Sequence, residues 1–418
     1  METKDILASL HAAVDANLAA AKQLQEQLTT VAMGLSQVPV LMQQVVGSAQ
    51  AIQNAQEATK LGLDQLAASL PRPTAKGWGR GPRSGLPWYS GARHQNLKQV
   101  QAFLEAGGRK SKPCDILQCF TGPEQAENWT EIAGGPTDDP HDWQGLVSLR
   151  EGQAAADMIW RDVPDLPAVM TLRPIPESDS NRGGRNPGVW RRIAAGERDQ
   201  VYTRLGRKFA GLDEVHARAG QVILEIAHEM TGDWYAHAIK GAHGDFPAAW
   251  VKIVAGIRTG YRQVANKDCP YLFWLRPSRE TVEDGVWTES LLPPLDFWDG
   301  IGLSQHDNKA MPCTPEKPRI NWTRQKKQWE GLENIAEIAA ANGKLLGFSE
   351  WSSHNPSSDR SGPNAGIFTQ SMWDFYSRQD VQAVLAYETY FLSSISTIAG
   401  FPEWEGAKAY KRLWGGAA

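Results

Sequence analysis

Apolar residues recur alternately three and four positions apart from Leu7 to Leu70, a period of seven. Taking Leu7 as position a and Leu10 as d, the seam runs Leu7, Leu10, Val14, Asn17, Ala21, Leu24, Leu28, Val31, Leu35 and Val38. It continues through Met42, Val45, Ala49, Ile52, Gln56, Thr59, Leu63, Leu66 and Leu70, so sixteen of nineteen positions are apolar. A straight helix drifts off a 3.5-residue period, so a register kept this long predicts a coiled coil. A long helical hairpin turning at Pro39 is the alternative; the unbroken phase across Pro39 favours a kink between two collinear coils. Asn17 and Gln56 are polar seam residues of the kind that fix register and strand number. Residues 1–70 are therefore expected to be an oligomerisation stalk active over residues 4–70, with a trimer favoured.

The pattern changes after "PRPTAKGWGRGPRSGLP" (71–87), a Pro-, Gly- and Arg-rich stretch without periodicity that reads as a linker. From Trp88 short apolar runs alternate with helical patterns. The predicted strands are Trp88–Ala92, Asp115–Phe120, Ala168–Pro174, Val222–Glu229, Tyr271–Arg276, Gly300–Gln305, Leu345–Glu350 and Val384–Tyr390. Predicted helices between them include Asn96–Ala106, Phe246–Val264 and Gln325–Ala341. Eight β/α units over residues 88–418 predict an α/β fold, a (β/α)8 TIM barrel preceded by the long α-helical coiled coil. A doubly wound open sheet is the alternative, but no glycine-rich phosphate loop follows the first strand.

Composition adds limits. All 17 tryptophans lie from Trp78 onward, so the two regions are built differently. The net charge of −4 argues against broad nucleic-acid binding. No run of 18 apolar residues is present, so no membrane insertion is expected, and the N-terminus lacks the pattern of a signal peptide. Cys114, Cys119, Cys269 and Cys313 form no C-x-x-C pair or Cys/His cluster, and read as incidental thiols.

The chemistry is expected at the ends of two strands. "QVILEIAHEM" ends in His228 and Glu229; a zinc helix would need a second histidine at position 232, which is glycine, so no metal or other cofactor is expected. "KLLGFSEW" carries Glu350. These are the fourth and seventh strands, which face each other across a barrel mouth. Two carboxylates there suit glycoside hydrolysis, one protonating the leaving oxygen and the other attacking the anomeric carbon.

The flanking residues sharpen this. His228-Glu229-Met230-Thr231-Gly232-Asp233-Trp234 resembles the H-E-M-N-G-x-W acid/base strand of glycoside hydrolase family 26, the mannanase-like group of retaining (β/α)8 glycosidases. Gly347-Phe348-Ser349-Glu350-Trp351 resembles its nucleophile strand, and the likeness spans roughly residues 88–400. The resemblance implies Glu229 as acid/base, supported by His228, and Glu350 as nucleophile. It implies Trp234 and Trp351 as sugar platforms. Arg173 and Arg276 are expected to bind hydroxyls or an acidic sugar, and Tyr387, with Glu388 and Tyr390, to close the cleft. Two residues depart from the family pattern: Thr231 replaces an asparagine, and His306 stands where a sixth-strand tyrosine contacts the nucleophile. His306 is therefore a second supporting residue, able to hydrogen-bond Glu350.

A stalk carrying a sugar-active barrel suggests a spike or fibre on a phage-like virion, with an N-terminal virion protein as partner and a surface or capsular polysaccharide as substrate. The expected location is then the virion surface, or otherwise the cytoplasm. The alternative is a non-catalytic polysaccharide- or receptor-binding module on such a fibre.

Overall fold

The computed structural model describes residues 15, 17–26, 82–93, 97–109, 113–120, 128–142, 161, 163–179, 186–231, 235–277, 291–307, 331–358, 361 and 364–416. The chain divides into two units, Met1–Pro71 and Arg72–Ala418. In the first, residues 17–26 are helical, with Leu18 44% and Leu24 51% exposed. The rest of the heptad seam, and with it the coiled coil, lies outside the described residues. No helix among the described residues is long and apolar enough to cross a membrane. Cys114, Cys119 and Cys269 are free thiols, and Cys313 lies outside the described residues.

Eight parallel strands close into a barrel in chain order. They are β1 (Tyr89–Arg93), β2 (Ile116–Phe120), β3 (Ala168–Leu172), β4 (Val222–Ile226), β5 (Leu272–Leu275), β6 (Gly300–Asp307), β7 (Leu345–Ser353) and β8 (Leu385–Tyr390). Helices flank them: α1 (Leu97–Ala106), α2 (Trp129–Ile132), α3 (Pro187–Ala194), α4 (Asp199–Val215), α5 (Phe246–Ala265), α6 (Leu332–Ala341), α7 (Ala365–Ser377), α8 (Gln379–Gln382) and α9 (Glu405–Leu413). The (β/α)8 expectation holds. Within the stretch expected to be a linker, Ser84 is buried and its amide donates to Asp115 Oδ1 at 2.9 Å, tying that end to the start of β2.

Alternation along each strand sorts the side chains into two environments. Outward residues such as Leu117, Met170, Leu224, Phe273 and Leu303 join the buried cluster that includes helix residues such as Phe209 and Ile257. Inward residues Ile116, Val169, Ile223, Trp274 and Tyr387 form a separate apolar plug inside the barrel. Glycine makes that plug possible. A Cβ on Gly300 would come within 2.2 Å of the Trp274 ring, and one on Gly347 within 2.2 Å of the Tyr387 ring. Two residues further along, the inward positions become polar: Gln118, Thr171, Glu225, Arg276 and Ser304. That layer is the floor of the site.

Candidate active site

Both glutamates reach the barrel mouth through backbone irregularities. Strand β4 stops at Ile226, short of the expected Glu229, because Ala227 turns left-handed at φ 58°. Glu229 is left-handed as well, at φ 52°. Such conformations cost a non-glycine residue on the order of 1 kcal/mol and cluster at functional sites. Bonds on both sides hold the turn: the Ala227 amide donates to the Leu172 carbonyl (2.9 Å) and His237 Nε2 to the His228 carbonyl (2.8 Å). Glu350 lies inside β7, which runs on to Ser353. Phe348 and Trp351 are three residues apart, yet both rings pack against Tyr376 of α7, at 5.3 and 6.1 Å. An additional residue therefore stands between them, and the ladder shows it: Phe348 and Trp351 pair with Glu388 and Tyr390 of β8. Such bulges re-aim side chains beside active sites, and here the bulge turns Glu350 inward.

Arg276 organises the floor. It follows β5 directly, is fully buried, and its Nη1 donates to Glu225 Oε2 at 2.7 Å. Its Nη2 pairs with Glu350 Oε2 at 2.8 Å, and Nε and Nη2 donate to Ser304 Oγ at 3.1 and 2.8 Å. Ser304 in turn hydrogen-bonds Glu229. Behind Arg276, Glu225 also accepts from Thr171 Oγ1 (3.1 Å) and Tyr387 Oη (2.9 Å). Gln118 Nε2 reaches Glu350 Oε1 at 3.4 Å, and His306 Nε2 lies 3.8 Å from Glu350 Oε2.

This arrangement separates the two carboxyl groups chemically. Burial, reinforced by the negative charge of Glu350, raises the Glu229 pKa above the usual glutamate range. Burial opposes ionisation of Glu350 too, but Arg276 and then His306 outweigh it and hold that pKa below the usual range. At pH values between the two, Glu229 holds its proton while Glu350 is an anion. Atoms of Glu229, Glu350 and His306 all lie within 4.8 Å of one another. That spacing could also hold a single metal ion, but Arg276 already pairs with Glu350 Oε2 and sets a positive charge beside it.

Other expected site residues fall elsewhere. His228 is buried against the rings of Phe120, Tyr235 and His237, and its Nδ1 has no hydrogen-bond partner. Burial, then His237, lowers its pKa well below the usual histidine value, so it is a neutral wall residue making no side-chain bond to Glu229. Trp351 is a correction. Strand residues alternate faces, so the neighbour of an inward Glu350 points outward. It is fully buried, stacks on Trp414 at 4.8 Å and donates to Glu388 at 2.6 Å, so it offers no face to a sugar. Tyr387 is another correction, because it belongs to the plug beneath the floor, bonded to Glu225. Glu388 and Tyr390 lie on the outer side of β8, where Glu388 accepts from Trp414 Nε1 (3.0 Å) and Tyr390 donates to the Ser396 carbonyl (2.8 Å). Arg276, expected to touch substrate, is a buried positioning residue instead. Arg173 does stand at the mouth, stacked over Tyr235. Trp234 lies outside the described residues. Sequence reading missed Glu225, Ser304 and Tyr235. The signal for Glu225 was available: a lone charge in the apolar run VILEI of a central strand must find a buried partner.

Sequence searches match no protein-family profile and no curated protein. Solved structures do share the fold. GH26C from Muricauda sp. MAR_2010_75 superposes with a TM-score of 0.52 at 13% identity, covering 79% of this chain and 86% of that one. The catalytic domain of the Bacillus sp. JAMB-750 GH26 endo-β-1,4-mannanase gives 0.53 at 15% identity, covering 79% and 86%. A modular endo-β-1,4-mannanase from Cellulomonas fimi gives 0.53 at 15% identity, covering 79% and 70%. The chain thus has a barrel similar to that of the family 26 mannanases.

Proposed function

We propose that this family-26-like barrel is a retaining, endo-acting glycoside hydrolase for a surface or capsular polysaccharide, carried on an oligomeric stalk of a virion spike or fibre. The observation behind the chemistry is the close pair Glu229 and Glu350 with their pKa values pushed apart. Retaining glycosidases hold their carboxyls about 5–5.5 Å apart, whereas inverting ones leave about 6.5–9.5 Å for a water. In the first step a Glu350 oxygen bonds to the anomeric carbon as the glycosidic C–O bond breaks, and Glu229 gives its proton to the departing oxygen. The resulting Glu229 carboxylate then takes a proton from water, whose oxygen bonds to the anomeric carbon and releases Glu350. Arg276 and His306 keep Glu350 ionised for attack, and Ser304 links Arg276 to Glu229. The names of two structural neighbours, both endo-β-1,4-mannanases, support attack within a polymer. Thr231 and His306 depart from the family pattern, so mannan itself is left open. The test is digestion of a polysaccharide panel by the full chain, followed by proton NMR. The first product should keep the anomeric configuration of the substrate. Inverted product sinks the mechanism, and binding without cleavage of any polymer supports the receptor-binding alternative.

The stalk proposal rests on the apolar seam. Leu24, a d position, is 51% exposed in the single chain. Burying a leucine is worth roughly 1.5–3 kcal/mol, and the sixteen apolar seam positions far exceed the cost of association. Light scattering of the full chain should give three times the chain mass, and a monomer would rule the stalk out.

A further inference from the structure

One side of the mouth carries two cations, Arg93 and Arg173, that lie on aromatic rings. Arg93 is the last residue of β1, and alternation places it inward, because Ala92 is part of the outer core and Ser90 hydrogen-bonds Glu388 on the outer side. Its guanidinium carbon sits 4.7 Å from the ring centres of both Phe120, which ends β2, and Phe391, which follows β8. Arg173 follows β3 and is inward by the same alternation, two residues beyond Thr171. Its guanidinium lies 4.5 Å from the Tyr235 ring centre. Arg173 reaches Glu177 only at 3.4 Å, and its buried Nε has no hydrogen-bond partner. The two arginines stand on β1 and β3, either side of the β2 residue Phe120.

A guanidinium lying on an aromatic face spends that face on the ring and keeps its N–H donors in the plane of the fork. The acceptor matching such a fork is a carboxylate, which takes two parallel bonds; a sugar hydroxyl takes one. Burial and then Arg173 lower the His237 pKa to about 3, so His237 is neutral and adds no charge beside Arg173. Arg276 is shared between Glu225 and Glu350, and Arg93 adds to the positive charge around Glu350. Building on the hydrolase reading, we infer that Arg93 and Arg173 form a subsite for the carboxylate of a uronic acid residue, making the substrate an acidic polysaccharide.

Calorimetry on the Glu229→Gln protein tests this without turnover, and the substitution keeps the volume of the side chain. The probes are β-1,4-linked mannuronate and glucuronate hexamers, with mannose and glucose hexamers as their carboxyl-reduced counterparts. At least one uronate hexamer should bind tenfold or more tightly than its neutral counterpart. Adding Arg93→Met and Arg173→Met should erase that preference, with Arg93→Lys retaining part of it. Equal affinities, no uronate binding, or a preference that survives in a folded double variant overturns the subsite. The parent protein separates the two readings. Cleavage of a neutral polymer without acidic preference removes the subsite and keeps the hydrolase. Tight uronate binding with no cleavage does the reverse.

Discussion

Replacing Glu350 by Gln should lower kcat on any cleaved polymer by about 10⁴-fold or more while leaving binding within a few-fold. Loss of a covalent nucleophile removes the bond-forming atom itself, and comparable losses in other enzymes fall in that range. The amide keeps the volume of the carboxyl, and Gln118 and Ser304 remain to hold the cavity. Glu229→Gln should also be severe with a poor leaving group, but should recover with an activated aryl glycoside that departs without a proton. Parental activity in the Glu350→Gln protein would falsify the mechanism. The pH profile gives a second reading. Activity needs Glu350 ionised and Glu229 protonated, so the acid limb should fall below, and the alkaline limb above, the ordinary glutamate pKa of about 4.3. Two limbs on the same side of that value contradict the charge separation.

Arg276→Met should be the most destabilising single change in the site, by about 3–5 kcal/mol at neutral pH, because it leaves Glu225 and Glu350 buried without their cation. The sign of the pH dependence follows from Glu350. Its folded pKa is depressed, so its ionisation contributes stability above the unfolded value of about 4.3, and that contribution is lost as pH falls through the folded value. Denaturant unfolding should therefore separate parent and variant widely at pH 7 and much less at pH 3. The acid limb of kcat/KM should move up in the variant as Glu350 loses its counter-charge. Arg276→Lys, which keeps a charge but cannot fork to both carboxylates, should fall between the two. A folded Arg276→Met protein with an unshifted acid limb removes Arg276 from the control of Glu350.

The barrel was legible because its strands are apolar runs bounded by turn residues, and β6 and β8 start within a residue of the pattern. What escaped was local. Left-handed turns at Ala227 and Glu229 use no glycine, so nothing in "EIAHEM" marks where the strand stops. The bulge in β7 is equally silent, since "GFSEW" has no glycine or proline at the irregular point. Trp351 could have been placed correctly: alternation forbids neighbouring residues of a continuing strand from both facing the cleft. Glu225 and Arg276 were also readable as opposite charges in adjacent apolar strands, each needing a buried partner. Trp234 lies outside the described residues and stays an expectation.

The bulge in β7 makes strand length, and not composition alone, a determinant of this site. Between Phe348 and Trp351 the strand uses two residues where β8 uses only Thr389. Loss of Ser349 would leave Phe348 outward, Glu350 inward and Trp351 outward, so the alternation would look intact. The ladder would then close without a bulge, with Glu350 opposite Thr389 and Trp351 still opposite Tyr390. Ser352 would stay opposite His306, whose Nδ1 is 2.9 Å from its hydroxyl, and the change would fall on the kink that aims Glu350 at the fork of Arg276. A gap of one residue here is thus a lesion confined to the nucleophile, and one that a comparison of residue types alone would not register.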